Sequence, residues 1–464
     1  MGSRYKLLNT HLLLSCVMDL WFPGVMAMTA TARDVQQIHV SQEAFSANLG
    51  DGYVGVGYSS QGCYSAIPWD NVRFDQLEQD NSDKPSNEGF CVARYDHPQK
   101  RNVGFGGCAS AEWKVALAAT KRGAFAAVQG DGSVVTWGDI DYGGDSSAVQ
   151  QQLQNVLQIQ ASAGAFAAMR GDGSVVTWGS DYHGGDSSYV QEQLKNVQHI
   201  QASGGAFAAI LGDGSVVTWG SDDHGGDSST VQERLKTVQR IQASNVAFAA
   251  ILGDGSVVTW GGGDVATALT VQQQLKNVQQ IQASSCAFAA MRNDGSVVTW
   301  GLADFGGDSS AVQARLKNVQ QIQAADQAFA AILGDGSVVT WGYAELGGDS
   351  NEVQDHLRDV QEIQACYHAF AAILVDGSVV SWGEADARAV QQQLKNVRQI
   401  QSSARAFAAI LGDGSVVTWT RNSSDKDGDS SAVQEQLKNV QHIQASDVAF
   451  AAILDDGSVV TWGD

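Results

Sequence analysis

A stretch of 15 residues dominates this chain. It reads Ala-Phe-Ala-Ala-Ile-Leu-Gly-Asp-Gly-Ser-Val-Val-Thr-Trp-Gly from Ala206 to Gly220, and returns unchanged from Ala247 to Gly261 and from Ala328 to Gly342. Close variants raise the total to nine. The tryptophans Trp137, Trp178, Trp219, Trp260, Trp300, Trp341, Trp382, Trp419 and Trp462 lie 41, 41, 41, 40, 41, 41, 37 and 43 residues apart. A period of this size means one small unit stacked on copies of itself, as in a solenoid or a propeller, because a single unit cannot bury both its faces.

One unit divides into four parts. In Val238 to Ser244, Ile241 and Ala243 share one parity and Arg240 and Gln242 the other, the pattern of a half-buried strand. Ala247 to Leu252 is apolar on both faces and thin, which suits a strand near the crowded centre of an assembly. Ser256 to Gly261 has strand composition, β-branched and aromatic. Gly253-Asp254-Gly255 between the last two signals a tight hairpin, since glycine accepts positive φ. The connector, Ser187 to Asn196, reads as a short helix with a capping box from Ser188 to Gln191, an apolar face of Val190 and Leu194, and Lys195 near its end. The expected fold is all-β: a propeller of three-stranded blades with short helical connectors, against the alternative of an open β-solenoid-like array.

The chain begins less regularly. Residues 1–33 form a leader or extension: Arg4 and Lys6 precede an apolar run, and Ala30-Thr31-Ala32 resembles a cleavage site, although Asn9, His11 and Asp19 interrupt the pattern. A genuine leader implies a secreted or organellar protein; otherwise a cytoplasmic or nuclear one. Residues 34–114 hold degenerate units with an insertion. Asp34 to Gly57 copies a unit without its tryptophan, Phe90 to Tyr95 and Asn102 to Gly106 suit the hairpin of another, and Asp70 to Glu88 reads as an exposed loop. Residues 115–464 carry the nine regular repeats. No unit is split across the two ends, so ring closure is expected to rest on side-chain packing rather than on a shared strand.

These units resemble the repeat of the regulator of chromosome condensation family. The string V-x-x-I-x-A-S-x-x-A-F-A-A-I-x-x-D-G-S-V-V-T-W-G is similar to that family's V-x-x-I-x-x-G-x-x-H-x-x-A-L-x-x-D-G-x-V-x-x-W-G. The D-G-x-V-x-x-W-G core stands at Asp131 to Gly138, Asp172 to Gly179, Asp213 to Gly220, Asp254 to Gly261, Asp294 to Gly301, Asp335 to Gly342 and Asp456 to Gly463, with Ser381 in the copy from Asp376 and Thr420 ending the copy from Asp413. The family histidine falls within Ala-Phe here, and its G-x-L-G stretch is replaced by Gly-Gly-Asp-Ser. The short period resembles the compact form found in a bacterial β-lactamase inhibitor. Family propellers usually close with seven blades, so nine units leave the ring size open. The resemblance implies a binding scaffold: roles in the family include nucleotide exchange on a small GTPase, cargo recognition, enzyme inhibition and ultraviolet sensing.

Nothing in the sequence assembles a catalytic group. The nine histidines make no H-x-H or H-x-x-x-H pair, and no phosphate loop or G-x-S-x-G elbow occurs. His183 and His224 hold equivalent places but lack a third ligand, and Asp425 to Asp429 lacks the glutamate of a calcium loop, so no metal and no cofactor is expected. Cys63, Cys91 and Cys108 share the irregular stretch, where a disulfide competes with plain thiols. The sequon at Asn422 matters only after secretion. Acids outnumber Lys plus Arg by 50 to 28, for a net charge of -22. That disfavours direct binding to nucleic acid and favours a protein partner with a basic or mixed surface. No body segment has 18 continuous apolar residues, so the repeats are not expected to span a membrane by helices.

The tryptophans, one per unit, are read as structural. Variable residues gather just before the Gly-Gly-Asp-Ser loops, at one edge of successive units. Tyr182, His183 and Asp186, then Asp223, His224 and Asp227, then Asp308 and Asp349, are therefore the candidate partner-binding residues. The competing reading gives each loop aspartate a capping role. The expected function is a non-enzymatic protein-interaction scaffold. The alternatives are an exchange factor for a small GTPase and a secreted carbohydrate-binding module.

Overall fold

The computed structural model describes residues 117–463 apart from 130, 263–266, 386, 422–425 and 427, together with the backbone of strands between residues 29 and 96. The protein is all-β. Each of the nine units forms a sheet of three antiparallel strands in sequence order, as in unit 3: Val197–Ala202, Ala206–Leu211 and Val216–Gly220. Unit 1 starts the series with Leu117–Ala119, and unit 9 ends it with Val440–Ala445, Ala449–Leu454 and Val459–Gly463.

The register follows from the sequence. Phe207 stands directly opposite Trp219, and Ala209 opposite Val217. The loop Gly212-Asp213-Gly214 is closed by Leu211 N–H to Ser215 O at 2.8 Å, with Gly214 at φ +81°, the three-residue hairpin with a glycine bulge. A bulge between Val197 and His199 turns Gln198 and His199 outward while Val197 and Ile200 stay buried.

The middle strand is buried on both faces because another sheet covers each of them. Ala165 and Ala167 of unit 2, with Leu194 of its connector, pack against Ile200, Phe207, Val217 and Trp219 of unit 3. The thin Ala-Phe-Ala-Ala strand therefore lies in the middle of its sheet. The strand nearest the axis is the first one: first strands of successive units touch each other and the middle strand of the preceding unit.

Backbone hydrogen bonds tie successive units at both ends. At the turn end, Val197 N–H donates to Gly173 O and Val238 N–H to Gly214 O, both at 2.9 Å, and the same bond links every consecutive pair of units. At the other end the hairpin tips form a chain: Ala163 to Gly204, Gly204 to Asn245, Asn245 to Ser285, and on through Asp326, Tyr367 and Ala404 to Asp447. Hydrogen-bonded neighbours lie about 5 Å apart, whereas sheets stacked face to face need about 10 Å. Sheets pinned at their inner edges and filled with Phe and Trp farther out must fan around an axis, which is the geometry of propeller blades. Contacts that skip units agree: Lys121 Nζ reaches Asn245 Oδ1 three units on at 3.1 Å, and Tyr367 Oη reaches Asp447 Oδ2 two units on at 3.0 Å.

Three expectations need correction. The connectors are turns and single 3-10 turns, as at Gln232–Arg234; among the described residues only Thr267–Val271 is α-helical. The capping box at Ser188 does not form, because Gln191 Oε1 accepts from Ser187 Oγ and Gln191 Nε2 donates to Val175 O. The expected absence of a shared strand also fails. Thr29–Ala30 pairs with Val459 and Val460 of unit 9, and the backbone of the strand Val35–Val40 runs beside the first and middle strands of unit 9, as the first strand of a unit runs beside the unit before it.

The irregular start likewise differs. Gly89–Asp96 is no part of a separate unit; it pairs with Gly52–Ser59 and with Val72–Phe74 in one five-stranded sheet. Val72–Phe74 thus lies within the segment read as a loop. Asn102 to Gly106, the sequon, the acids Asp425 and Asp427, and the side chains of Cys63, Cys91 and Cys108 lie outside the described residues. Cys286 and Cys366 are free thiols.

The hairpin turns predict an acid response. Asp172, Asp213, Asp254, Asp294, Asp335, Asp376, Asp413 and Asp456 are held below the usual carboxylate range, first by the hydroxyl and then by the backbone N–H of the serine two residues on. A carboxylate with a lowered folded-state pKa stabilises the fold fully above its unfolded value of about 3.9, and that stability is lost as pH falls through the lowered value. The urea midpoint is therefore expected to fall steadily below about pH 4. An unchanged midpoint between about pH 4 and 2 would show that the turns do not act this way.

Candidate functional site

The candidate site lies at the blade end that carries the hairpin tips and connectors. Its framework repeats. The last-strand threonine, the buried serine after the loop aspartate and the connector glutamine form a relay: Thr177 Oγ1 to Ser187 Oγ at 2.9 Å, Ser187 Oγ to Gln191 Oε1 at 3.0 Å, and Gln191 Nε2 to Val175 O at 2.9 Å. Unit 3 repeats it with Thr218, Ser228, Gln232 and Val216. Each glutamine satisfies a carbonyl on the outer edge strand and so covers an edge open to pairing.

The loop aspartates belong to this framework. Asp186, Asp227, Asp308 and Asp349 are exposed, and each accepts the backbone N–H two residues on at 2.8 Å. Asp186 is held below the usual carboxylate range by that N–H and by the Ser188 hydroxyl. These are turn-closing carboxylates, the same chemistry as a cap. Asp227→Ala is expected to cost about 1 kcal/mol in a denaturant melt. A loss comparable with removal of a core residue would show that the turn is not its main role.

The variable loops assemble something the repeats do not. Each folds into one 3-10 turn, Asp181–His183 in unit 2 and Asp222–His224 in unit 3, ended by a left-handed glycine, Gly184 or Gly225. His183 Nδ1 lies 2.9 Å from Ser180 Oγ, and His224 Nδ1 lies 3.0 Å from Ser221 Oγ. Tyr142 of unit 1 meets the His183 ring edge-on at 6.0 Å. Tyr182 meets His183 at 5.2 Å and His224 at 6.1 Å. Arg122, on the first hairpin tip, donates to Tyr142 Oη at 2.9 Å and lies over its ring. Arg122, Tyr142, His183, Tyr182 and His224 thus form one row across three blades.

Burial, then the neighbouring Arg122 and His224 side chains, hold His183 below the usual histidine range. Tyr182 stays 61% exposed. Exposed Asp181, Asp186, Asp222, Asp223 and Asp227 surround the row. The two histidines are brought together with no third ligand: among the described residues no group of three metal-binding side chains occurs. The repeat logic marked the loops but missed Arg122 and Tyr142, whose part depends on the meeting of neighbouring blades. It also missed a second cluster farther round, where Glu384 takes Arg421 at 2.8 Å and His368 at 3.1 Å.

The tryptophans lie between blades. Trp219 is fully buried, stacks on Phe207 at 5.3 Å, and donates from Nε1 to Gly184 O of the preceding connector at 3.1 Å. Trp178, Trp260, Trp341 and Trp382 make the same bond. Trp137, Trp300, Trp419 and Trp462 are stacked alike, but their buried Nε1 has no partner among the described residues. Trp419 follows the shortened connector of unit 7, which offers no Gly-Gly pair.

No protein-family model matches this sequence, and no curated protein matches it. Solved structures do resemble it. Prp20p from Saccharomyces cerevisiae is 15% identical, with a TM-score of 0.33, over 60% of this chain and 84% of that one. Human WBSCR16 is 15% identical, with a TM-score of 0.33, over 50% of this chain and 78% of that one. The CRINKLY WD40 ectodomain of the Arabidopsis thaliana receptor kinase ACR4 is 16% identical, with a TM-score of 0.29, over 56% of this chain and 92% of that one. The blades are defined by their sheet order and by the hydrogen bonds that tie successive units. Among the described residues no helix is long and apolar enough to cross a membrane.

Proposed function

We propose that this protein is a non-enzymatic interaction scaffold of the chromosome-condensation-regulator type, and that it reads a protein partner through the connector end of units 1 to 3. The observation that carries this reading is Tyr182: a large aromatic side chain, 61% exposed, at the centre of a row built from three blades. Exposed tyrosines on a rigid frame are typical anchors, because they offer much contact area for little lost entropy. The surrounding acids and the net charge of -22 suit a partner with a basic or mixed surface.

The test is affinity capture from the native source with the whole protein and with a variant whose 180–183 and 221–224 loops are exchanged for Gly-Ser. Recovery of one stoichiometric protein, lost with the exchange, supports the scaffold. Within it, Tyr182→Ser is expected to weaken binding roughly tenfold or more, with little change in stability. Capture that survives the exchange places the interface elsewhere. A recovered GTPase that releases its nucleotide faster in the presence of this protein assigns the exchange-factor function instead. Saturable glycan binding without a protein partner assigns the carbohydrate-binding one.

A further inference from the structure

The inner strands of units 3, 4 and 5 line an open groove of about 550 Å³ whose chemistry the scaffold reading does not use. Its polar wall is His199, Gln239, Arg240, Gln242, Gln280 and Gln282, above a floor of buried isoleucines. No acid lines it. We propose that this groove binds a small carboxylic acid that also carries hydroxyl groups, with Arg240 holding the carboxylate.

Arg240 has no ion pair or hydrogen bond among the described residues, in a chain where acids outnumber Lys plus Arg by 50 to 28. Arg240 is the only lysine or arginine in the groove's lining, and partial desolvation holds His199 below the usual histidine range. A planar guanidinium with free donors suits a carboxylate in the bidentate manner. The side-chain amides of Gln239, Gln280 and Gln282 are likewise without partners among the described residues, and Gln242 makes one long bond, 3.4 Å, to Ala243 O. Each amide both donates and accepts, the requirement for binding hydroxyl groups. The volume suits a small molecule. No aromatic ring lines the groove, which disfavours a neutral sugar stacked on its face. The bulge in each first strand supplies the architecture, since it turns Gln239 and Arg240 outward from one strand while Ile241 stays in the core.

The experiment is calorimetric titration of the full-length protein with citrate, malate and D-glucuronate, with propionate and D-glucose as single-function controls. Saturable binding of at least one of the three acids is expected, weaker by tenfold or more for both controls. Arg240→Gln is expected to lower that affinity at least tenfold without moving the melting temperature, because Arg240 is exposed and makes no structural bond. Absence of binding by all three acids overturns the proposal. So does binding that Arg240→Gln leaves unchanged, or glucose binding of equal strength. None of these outcomes bears on the loop-exchange experiment, which concerns a different end of the blades.

Discussion

Trp219→Ala is expected to destabilise the protein by about 3–5 kcal/mol. The side chain is fully buried, so truncation removes most of an aromatic surface from the core and leaves a cavity. Three partners lose it together. Phe207 loses its stacked neighbour at 5.3 Å, Gly184 O loses the indole donor at 3.1 Å, and the interface with unit 2 loses its outer layer. Neighbouring units stabilise one another in a stacked array, so the loss should extend beyond unit 3. Equilibrium urea melts would measure it. A loss under about 1 kcal/mol would mean that the tryptophan does not join the blades. Trp419→Ala offers a finer comparison. Its Nε1 makes no bond among the described residues, so its truncation leaves no carbonyl unpaired. It should cost less than Trp219→Ala by about 1 kcal/mol.

Gly184→Ala is expected to cost about 2–5 kcal/mol, a large effect for one methyl group. Gly184 has φ +92°, where an L side chain is strained. An added Cβ would also stand 2.7 Å from Cδ2 and 2.9 Å from Cε2 of Phe207 in the next unit. That ring is fully buried beneath Trp219 and has nowhere to move. Strain and overpacking thus act together at the joint that orients the His183 loop. Gly253→Ala is the control. Its φ is not in the left-handed region, and its nearest neighbours, in Thr237, lie 3.6 Å from the new atom. It should change stability by no more than about 0.5 kcal/mol. Equal effects of the two substitutions would refute this account of the joint.

Much of the blade was legible in the sequence, because each strand signal was local. The alternation in Val238 to Ser244, the β-branched run ending in Trp260 and the Asp-Gly turn each specify their element without reference to neighbours. The connector misled for the same reason. Ser187 to Asn196 has helical spacing, but Leu194 is drawn fully into the core between blades. Asn196 then leaves the turn at φ +58°, and Gln191 bonds the sheet edge. A helix would forgo all three, and a helix this short has too little stability of its own to offset them.

The latch of Thr29–Ala30 on unit 9 was invisible for another reason. Two residues carry no pattern, and the pairing joins opposite ends of the chain. The site was half legible. Repetition showed which loops vary, but the row from Arg122 to His224 needs the inter-blade bonds that bring hairpin tip and connector together. Side-chain ladders along the tips, such as Asn245 Nδ2 to Ser285 Oγ at 2.9 Å, are likewise a product of assembly.

In the proposed function, a constant framework presents one variable rim to a protein partner. Backbone hydrogen exchange of the protein with and without the captured partner tests it most directly. Slower exchange is expected across Ser180 to His183 and Ser221 to His224, with the opposite turns, Asp172 to Ser174 and Asp213 to Ser215, unchanged. Protection confined to those opposite turns, or none at the connector rim, would contradict it.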